Sequence, residues 1–230
     1  MNHWRSFAIP LVLLMTSLNL NTLRAATVAD RLEQCGPAAR ARLSTHFVKQ
    51  GVAYPPHELI LVGLKQEKTL EVYAKSGTNG LKLIHTYPIL AASGVAGPKL
   101  REGDRQVPEG IYAIESLNPN SRYHLSLRVN YPNAFDREQA GKEKRTKLGG
   151  DIMIHGKAVS IGCLAMGDEA AEDLFVLAAD TGLIKIKVLF APLDFRKHDA
   201  VPGAEKLPSW TTELYEQIRA ELARLPIAKE

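Results

Sequence analysis

The sequence lacks the features of several protein classes. It has only two cysteines, and its histidines show no zinc-binding spacing. It contains no phosphate-binding glycine loop of the P-loop or Rossmann kind. No basic helix and no stripe of alternating basic and aromatic residues indicates a nucleic-acid surface. We therefore expect no metal site, no cofactor and no nucleic-acid partner.

A long membrane-spanning run is also missing. The apolar run Phe7–Met15 is short and is soon followed by Ser and Asn. Arg5 precedes it and Ala25 offers a small residue for cleavage, so residues 1–25 are predicted to be a secretory signal peptide. The alternative is an uncleaved N-terminal anchor. Either way the body of the chain is exported, and we expect a periplasmic protein with no stable membrane span after signal removal.

The rest of the chain is sufficient for one domain with short extensions. The full sequence has 230 residues, of which 45% are hydrophobic and 7% aromatic. Loss of Arg5 and Arg24 with the signal would lower the formal charge from +4 to +2, which leaves only a mild basic bias. We divide the chain into a signal peptide (1–25), a helical leader (26–57), a main domain (58–192) and a C-terminal helical extension (193–230).

Several segments have the pattern of strands. Those at Glu58–Lys65, Thr69–Lys75 and Leu81–Ile89 are expected to form a meander, and further strands are predicted at Pro108–Ser116, Tyr123–Tyr131 and Leu183–Pro192. In the last of these, Ile184, Ile186, Val188 and Phe190 are predicted to point inward. The loop Ala91–Val107 contains Lys99, Arg101 and Arg105, which either bind a carboxylate of a peptide or lie in solvent.

Three segments have the pattern of helices. They run from Thr27 to about Lys49, from Asp168 to about Gly182, and over Leu207–Leu225. Gly36-Pro37 is expected to break or restart the first. The highly charged run Asp136–Lys147 has no apolar stripe and is predicted to be an exposed flap or loop. The fold class is therefore mainly β, a β-rich α+β arrangement with flanking helices.

The segment Asp151–Met166 carries the chemistry. Its sequence places His155 and Cys163 on either side of a turn at Gly156, with Gly162 directly before the cysteine. A thiol needs a base to become a nucleophile at neutral pH, and imidazole is the usual one. A histidine buried in a strand and a buried cysteine are an equally good interpretation from spacing alone. A disulfide between Cys35 and Cys163 is a further alternative in an exported protein.

This His-Gly and Ser-x-Gly-Cys pattern resembles the active-site signature of the L,D-transpeptidases, the YkuD-type cysteine enzymes that remodel bacterial peptidoglycan. The spacing is most similar to the YafK (DpaA-like) branch of that family. The similarity extends from about Glu58 to about Pro192 and includes three further segments. These are Pro108-Glu109-Gly110-Ile111-Tyr112, Ser121-Arg122-Tyr123 and the stretch Tyr131–Arg137. The resemblance implies a YkuD-like β-sandwich or mixed-sheet catalytic domain.

It also implies roles for individual residues. Cys163 is the nucleophile and His155 the base, with the Gly156 carbonyl orienting the imidazole. Backbone N–H groups at Gly162 and Cys163 are oxyanion-hole candidates. Asp151 lies on the strand face of His155 but about 13 Å away along the chain, which is too far for it to orient the ring. Ser160, Tyr123, Asn133 and Arg137 are candidates for support or substrate binding, although Ser160 could equally satisfy a turn.

Two departures from the family pattern leave the acceptor open. Ala165 replaces an arginine that most members carry two residues after the cysteine, and Ile161 replaces a histidine or lysine. The YafK-like branch shares both. It is associated with cutting the bond between diaminopimelate and the lysine of an outer-membrane lipoprotein. The expected partners are peptidoglycan stem peptides, with such a lipoprotein as a second partner. An amine acceptor makes the protein a transpeptidase, and water makes it an amidase. The alternative of another class is a non-catalytic wall-binding β domain.

Overall fold

In the part of the chain that the structure describes, nine strands form one mixed sheet, which is flanked by four α-helices. The computed structural model describes residues 24–75, 77 and 80–227. The predicted signal peptide therefore lies almost entirely outside the described residues. The strands are β1 (Glu58–Leu64), β2 (Thr69–Lys75), β3 (Lys82–Pro88), β4 (Ala91–Ala92), β5 (Gly110–Ser121), β6 (His124–Val129), β7 (Met153–His155), β8 (Leu164–Ala165) and β9 (Ile186–Ala191). The helices are α1 (Val28–Gln50), α2 (Ala134–Lys142), α3 (Asp168–Thr181) and α4 (Thr211–Ala223).

The order of strands in the sheet is β3-β2-β1-β9-β5-β6-β7-β8-β4. The predicted antiparallel meander β1–β2–β3 forms one edge. The long strand β5 joins two halves, because residues 110–113 pair with β9 and residues 114–121 pair with β6. Strand β9 runs parallel to β1, and β8 runs parallel to β7. The mixed sheet with flanking helices confirms the predicted β-rich α+β class.

Helices cover both faces of the first half of the sheet. Alternate residues of β1 therefore enter two separate apolar clusters. Leu59 and Leu61 pack with α1 and α3, whereas Ile60 and Val62 pack with α4. This explains why the segment is almost continuously apolar. Within the ranges that the structure describes, no helix combines the length and apolarity needed to cross a bilayer.

Helix α1 is continuous, so the predicted break at Gly36-Pro37 is wrong. Pro37 lies inside the helix and removes one backbone donor. The helix is retained because Ala39, Leu43 and Phe47 are buried in the main core, and because a capping box of Thr27 and Asp30 fixes its start. Burial of a whole helix face outweighs the loss of a single hydrogen bond.

The prediction of an exposed flap or loop over Asp136–Lys147 is wrong for its first part, because helix α2 occupies residues 134–142. Residues 143–147 lie outside the helix and are mostly exposed, as predicted. Asn133 and Asp136 form a capping box, in which each side chain accepts a hydrogen bond from the other's backbone N–H. Gln139 and Ala140 are buried. The helix is held by its cap and by buried polar residues, so an apolar stripe was the wrong criterion.

The predicted final strand begins later than expected. Residues 183–185 form a turn of 3-10 helix, and β9 starts at Ile186. Ile184 was predicted to point inward but is 98% exposed. The alternation of apolar residues holds only within β9, where Ile186, Val188 and Phe190 are buried as predicted.

A buried ion pair ties the loop between β4 and β5 to the sheet. Lys65 Nζ lies 2.8 Å from Glu109 Oε1, and the two side chains are 9% and 0% exposed. The Glu109 carboxylate also accepts hydrogen bonds from Gly97 N (2.7 Å) and from the hydroxyl of Tyr215 on α4 (2.8 Å). Burial lowers the pKa of Lys65, which the charge of Glu109 opposes. The ion pair therefore connects the end of β1, the loop between β4 and β5, and helix α4.

Replacing Glu109 with Ala should destabilise the protein by about 3–5 kcal/mol, because the Lys65 ammonium would remain buried without its counter-ion. Urea unfolding followed by circular dichroism measures the change. The matched control is Glu138→Ala, since Glu138 pairs with Lys142 on the surface of α2. If both variants unfold at the same urea concentration as the parent, the buried pair does not hold the loop.

Candidate active site

The parallel pairing of strands β7 and β8 places His155 and Cys163 on neighbouring segments of the sheet. His155 ends β7 and pairs with Ala165, and Cys163 directly precedes β8. The register is fixed by Ile154 and Leu164, which pair with each other and are both buried. His155 and Cys163 both line a cleft of ≈ 750 Å³, and both also line a small adjoining cavity of ≈ 90 Å³.

The orientation of the His155 ring is fixed on two sides. Its Nδ1 lies 2.6 Å from the carbonyl oxygen of Gly156. A carbonyl can only accept, so Nδ1 carries the proton and Nε2 presents a lone pair. The ring of Tyr123 packs against the imidazole, with centroids 4.6 Å apart. Gly156 O thus occupies the orienting position that the family resemblance implied.

No side chain fits at position 156. A Cβ there would lie 2.6 Å from Asp168 Oδ1 and 2.7 Å from the carbonyl oxygen of Tyr123. The same Asp168 carboxylate accepts the backbone N–H of Lys157 at 2.9 Å. The turn after the histidine is therefore packed directly against the start of α3 and the tip of the β5–β6 hairpin.

The thiol of Cys163 points toward the beginning of β7. Its Sγ lies 3.6 Å from the carbonyl oxygen of Asp151. Burial raises the pKa of the Cys163 thiol. A hydrogen bond from the Met153 backbone opposes the rise, the charge of Asp151 adds to it and that of Lys99 opposes it. Cys35 and Cys163 are both free thiols, so they form no disulfide in this structure.

The imidazole is shifted in the opposite direction. Burial lowers the pKa of His155, and the hydrogen bond to Gly156 partly opposes this shift. Both shifts favour the uncharged forms, a protonated thiol and a neutral imidazole, over a preformed thiolate and imidazolium.

Ser160 organises the turn that carries the cysteine. Its Oγ accepts hydrogen bonds from the backbone N–H of Cys163 (2.9 Å) and of Gly162 (3.3 Å) and donates to Cys163 O (2.6 Å). The two N–H groups predicted to form an oxyanion hole are thus occupied by Ser160. They could bind an oxyanion only after Ser160 releases them, and that role stays a prediction. Gly162 has φ +125°, a conformation that side chains rarely adopt.

The structure separates the remaining predicted residues. Tyr123 lines the cleft, whereas Asn133 and Arg137 do not belong to its lining, and their role in support or substrate binding stays a prediction. Asn133 caps α2, and its amide donates to Ile111 O at 2.9 Å. Arg137 lines a neighbouring groove that shares Glu102 with the cleft. The family segment Tyr131–Arg137 therefore supports the fold around the cleft.

Sequence reasoning missed the position of Asp151. Its carboxylate pairs with Arg128 at 2.7 Å, and its carbonyl faces the thiol. The strand spacing excludes Asp151 as a partner for His155 and predicts no contact with Cys163. Gly149-Gly150 before it and its own φ of +55° mark a tight turn into β7. Among the described residues, no group of three or more His, Cys, Asp or Glu side chains is arranged to hold a metal ion.

Comparison with known proteins identifies the family. Residues 57–187 match YkuD, the L,D-transpeptidase catalytic domain. The chain belongs to this family. It is 34% identical over 160 residues to YafK of Escherichia coli K12, provisionally assigned as an L,D-transpeptidase. That alignment covers 67% of this chain and 61% of YafK, so the similarity spans less than two thirds of the relative.

Similar solved structures include two bacterial proteins. The helical cell shape determining protein Pgp2 of Campylobacter jejuni is 25% identical with a TM-score of 0.48, covering 60% of this chain and 49% of Pgp2. L,D-transpeptidase 1 of Mycobacterium tuberculosis is 18% identical with a TM-score of 0.34, covering 58% of this chain and 62% of that enzyme.

The neutral thiol predicts how alkylation of Cys163 depends on pH. Because the pKa of the thiol is raised, the thiolate fraction should grow about tenfold per pH unit between about pH 6 and pH 8. The rate of iodoacetamide labelling, measured by intact mass, should rise in parallel. Cys163→Ala corrects for labelling of the buried Cys35. A rate that is already at its plateau near pH 6 would mean a thiolate–imidazolium pair and would contradict this account.

Removing the Ser160 hydroxyl should loosen the cysteine turn. In Ser160→Ala the amides of Gly162 and Cys163 lose their acceptor, so their hydrogen exchange should accelerate about fivefold, as expected for the loss of a hydrogen bond of about 1 kcal/mol. Ser160→Thr keeps the hydroxyl and should restore slow exchange. Ser209→Ala, at an exposed serine, is the control. Unchanged exchange in Ser160→Ala would exclude Ser160 as the residue that positions this turn.

Proposed function

We propose that this protein is an exported, peptidoglycan-modifying L,D-transpeptidase-type enzyme with Cys163 as nucleophile and His155 as base. Membership of the YkuD family supports peptidoglycan modification. The observation that carries the residue assignment is the shared lining of one cleft by a thiol and an imidazole whose Nδ1 is held by Gly156. A periplasmic location follows from the substrate and from the predicted signal peptide.

The first half-reaction forms a thioester. Nε2 of His155 takes the proton of the Cys163 thiol as the sulfur attacks a carbonyl carbon of the stem peptide. The carbon–nitrogen bond then breaks, and the imidazolium returns the proton to the departing amine. A neutral thiol and a neutral imidazole are the starting state that this sequence of proton transfers requires.

The second half-reaction releases the acyl group. An acceptor amine attacks the thioester, its proton passes to His155, and the sulfur leaves and is reprotonated. Water can attack in the same way and would yield a free carboxylate. In both halves the negative oxygen of the tetrahedral intermediate needs donors. The N–H groups of Gly162 and Cys163 are proposed to supply them, with Ser160 turning away as the substrate binds.

The acceptor distinguishes the two activities. With an amine the enzyme cross-links stems or attaches a lipoprotein. With water it is an amidase that releases a lipoprotein by hydrolysing the bond between diaminopimelate and lysine. The resemblance to the YafK-like branch supports the second activity, and we retain it as the alternative with the same catalytic residues.

Turnover of defined stem peptides tests the proposal. Purified protein is incubated with a tetrapeptide stem, with and without an amine acceptor, and with a stem tripeptide joined to lysine. Products are identified by liquid chromatography and mass spectrometry. We expect acyl transfer or hydrolysis by the parent protein and a loss of about 10³-fold or more in Cys163→Ala and His155→Ala.

The product pattern decides between the activities. Transfer to the amine identifies a transpeptidase, and release of lysine alone identifies the amidase. Peptide binding without turnover by the parent protein would contradict the proposal and favour a non-catalytic wall-binding domain. Full activity in Cys163→Ala would reject the cysteine mechanism.

A further inference from the structure

The cleft around Cys163 and His155 is lined by five other charged side chains. These are Lys99, Glu102, Arg105, Arg122 and Asp151. Two of them already have an ion-pair partner within the protein. Lys99 Nζ lies 2.6 Å from Asp104 Oδ1, and Asp151 Oδ1 lies 2.7 Å from Arg128. The first pair is largely buried and the second is exposed.

The other two cations have no such partner in the described part of the chain. Among the residues that the structure describes, neither the Arg105 nor the Arg122 guanidinium has an ion-pair, hydrogen-bond or aromatic partner, and both residues are exposed. Glu102 is the remaining anion of the lining. The uncommitted charge of the cleft is thus positive, and it is carried by two guanidinium groups.

The backbone of Arg105 is held in an unusual conformation. Its φ is +56°, which a non-glycine residue rarely adopts. Ser93 Oγ donates to Arg105 O at 2.7 Å, and Asp104 accepts the backbone N–H of the next residue, Gln106, at 3.0 Å. The backbone here lies within 4 Å of the Cβ position of Gly162. Arg105 is therefore fixed next to the cysteine turn.

Arg122 flanks the other catalytic candidate. It sits at the tip of the β5–β6 hairpin, in the two-residue connection between Ser121 and His124. Its neighbour Tyr123 packs on the ring of His155, and the Tyr123 N–H donates to Ser121 Oγ at 3.1 Å. The hairpin tip therefore holds Arg122 on the histidine side of the cleft.

We propose that Arg105 and Arg122 form a carboxylate-binding site for an acidic peptide substrate, with one guanidinium on each side of the catalytic pair. A guanidinium presents forked donors that match a carboxylate and forms stronger hydrogen bonds than neutral donors do. The substrate class is a peptide with carboxylates on both sides of the scissile carbonyl. The proposal rests on the proposed function, because it assigns these residues to the same substrate.

The structure also selects among the loop cations that the sequence offered. Lys99 is bound to Asp104, and Arg101 does not belong to the lining of the cleft. Arg105 alone of the three combines a place in the lining with an unpartnered guanidinium. Arg101, which is exposed in the same loop, is therefore a matched control.

Peptide binding tests the site separately from catalysis. In a Cys163→Ala background, calorimetry measures the Kd of a stem tetrapeptide for Arg105→Gln, Arg122→Gln and the control Arg101→Gln. The titration is repeated with peptides in which each carboxylate in turn is replaced by a carboxamide. Thermal unfolding verifies that every variant is folded.

Each of the two substitutions should raise Kd about tenfold for the free-carboxylate peptide, whereas Arg101→Gln leaves it unchanged. For the peptide that lacks the matching carboxylate, the Kd values of the background protein and of its glutamine variant should agree within about twofold. The site is rejected if the background protein binds no tetrapeptide, if either glutamine variant binds as tightly as its parent, or if the loss is equal for all peptides. If binding depends on the arginines but the parent protein, which retains Cys163, turns over no peptide, the proposed function is overturned and the carboxylate-binding site stands.

Discussion

The parallel pairing of β7 with β8 is the constraint on which the candidate site depends. It sets a strand-end histidine near a cysteine that directly precedes the next strand. The hydrogen bond between Nδ1 and Gly156 O then fixes which ring nitrogen is available as a base. Burial of both groups favours their neutral forms. Residues outside this pair act mainly by holding two turns, at Gly156 and at Gly162, in place.

The flanking segments support these turns, although they lie outside the family match. Helix α4 reaches the Lys65–Glu109 pair through Tyr215, and this network anchors the loop that carries Arg105. On the opposite face, Arg42 of α1 pairs with Asp173 of α3, the helix that follows the cysteine strand. Helices α1 and α4, which lie outside residues 57–187, are thus packed into the same structure as the sheet that carries the candidate site.

Strands and buried helices were predictable because their apolar residues repeat at the period of the element, as in β6 and α3, or form an almost continuous apolar run, as in β1. Helix α2 was not, since it depends on a capping box and on buried polar residues. Ile184 was misplaced because alternation was extended beyond the strand. At the site, His155, Cys163, Gly156 and Ser160 could be selected from the motif. The contact of Asp151 with the thiol, the structural role of Asn133 and the place of Arg122 depend on turns that the sequence pattern does not specify.

The central claim is that Cys163 is an accessible nucleophile served by His155. Carbapenems acylate the catalytic thiol of the family that this chain resembles, so intact mass after incubation with a carbapenem is the most direct measurement. The account predicts one covalent adduct on the parent protein under reducing conditions, none on Cys163→Ala, and markedly slower formation on His155→Ala. Absence of an adduct on the parent protein, or an adduct that persists in Cys163→Ala, would contradict it.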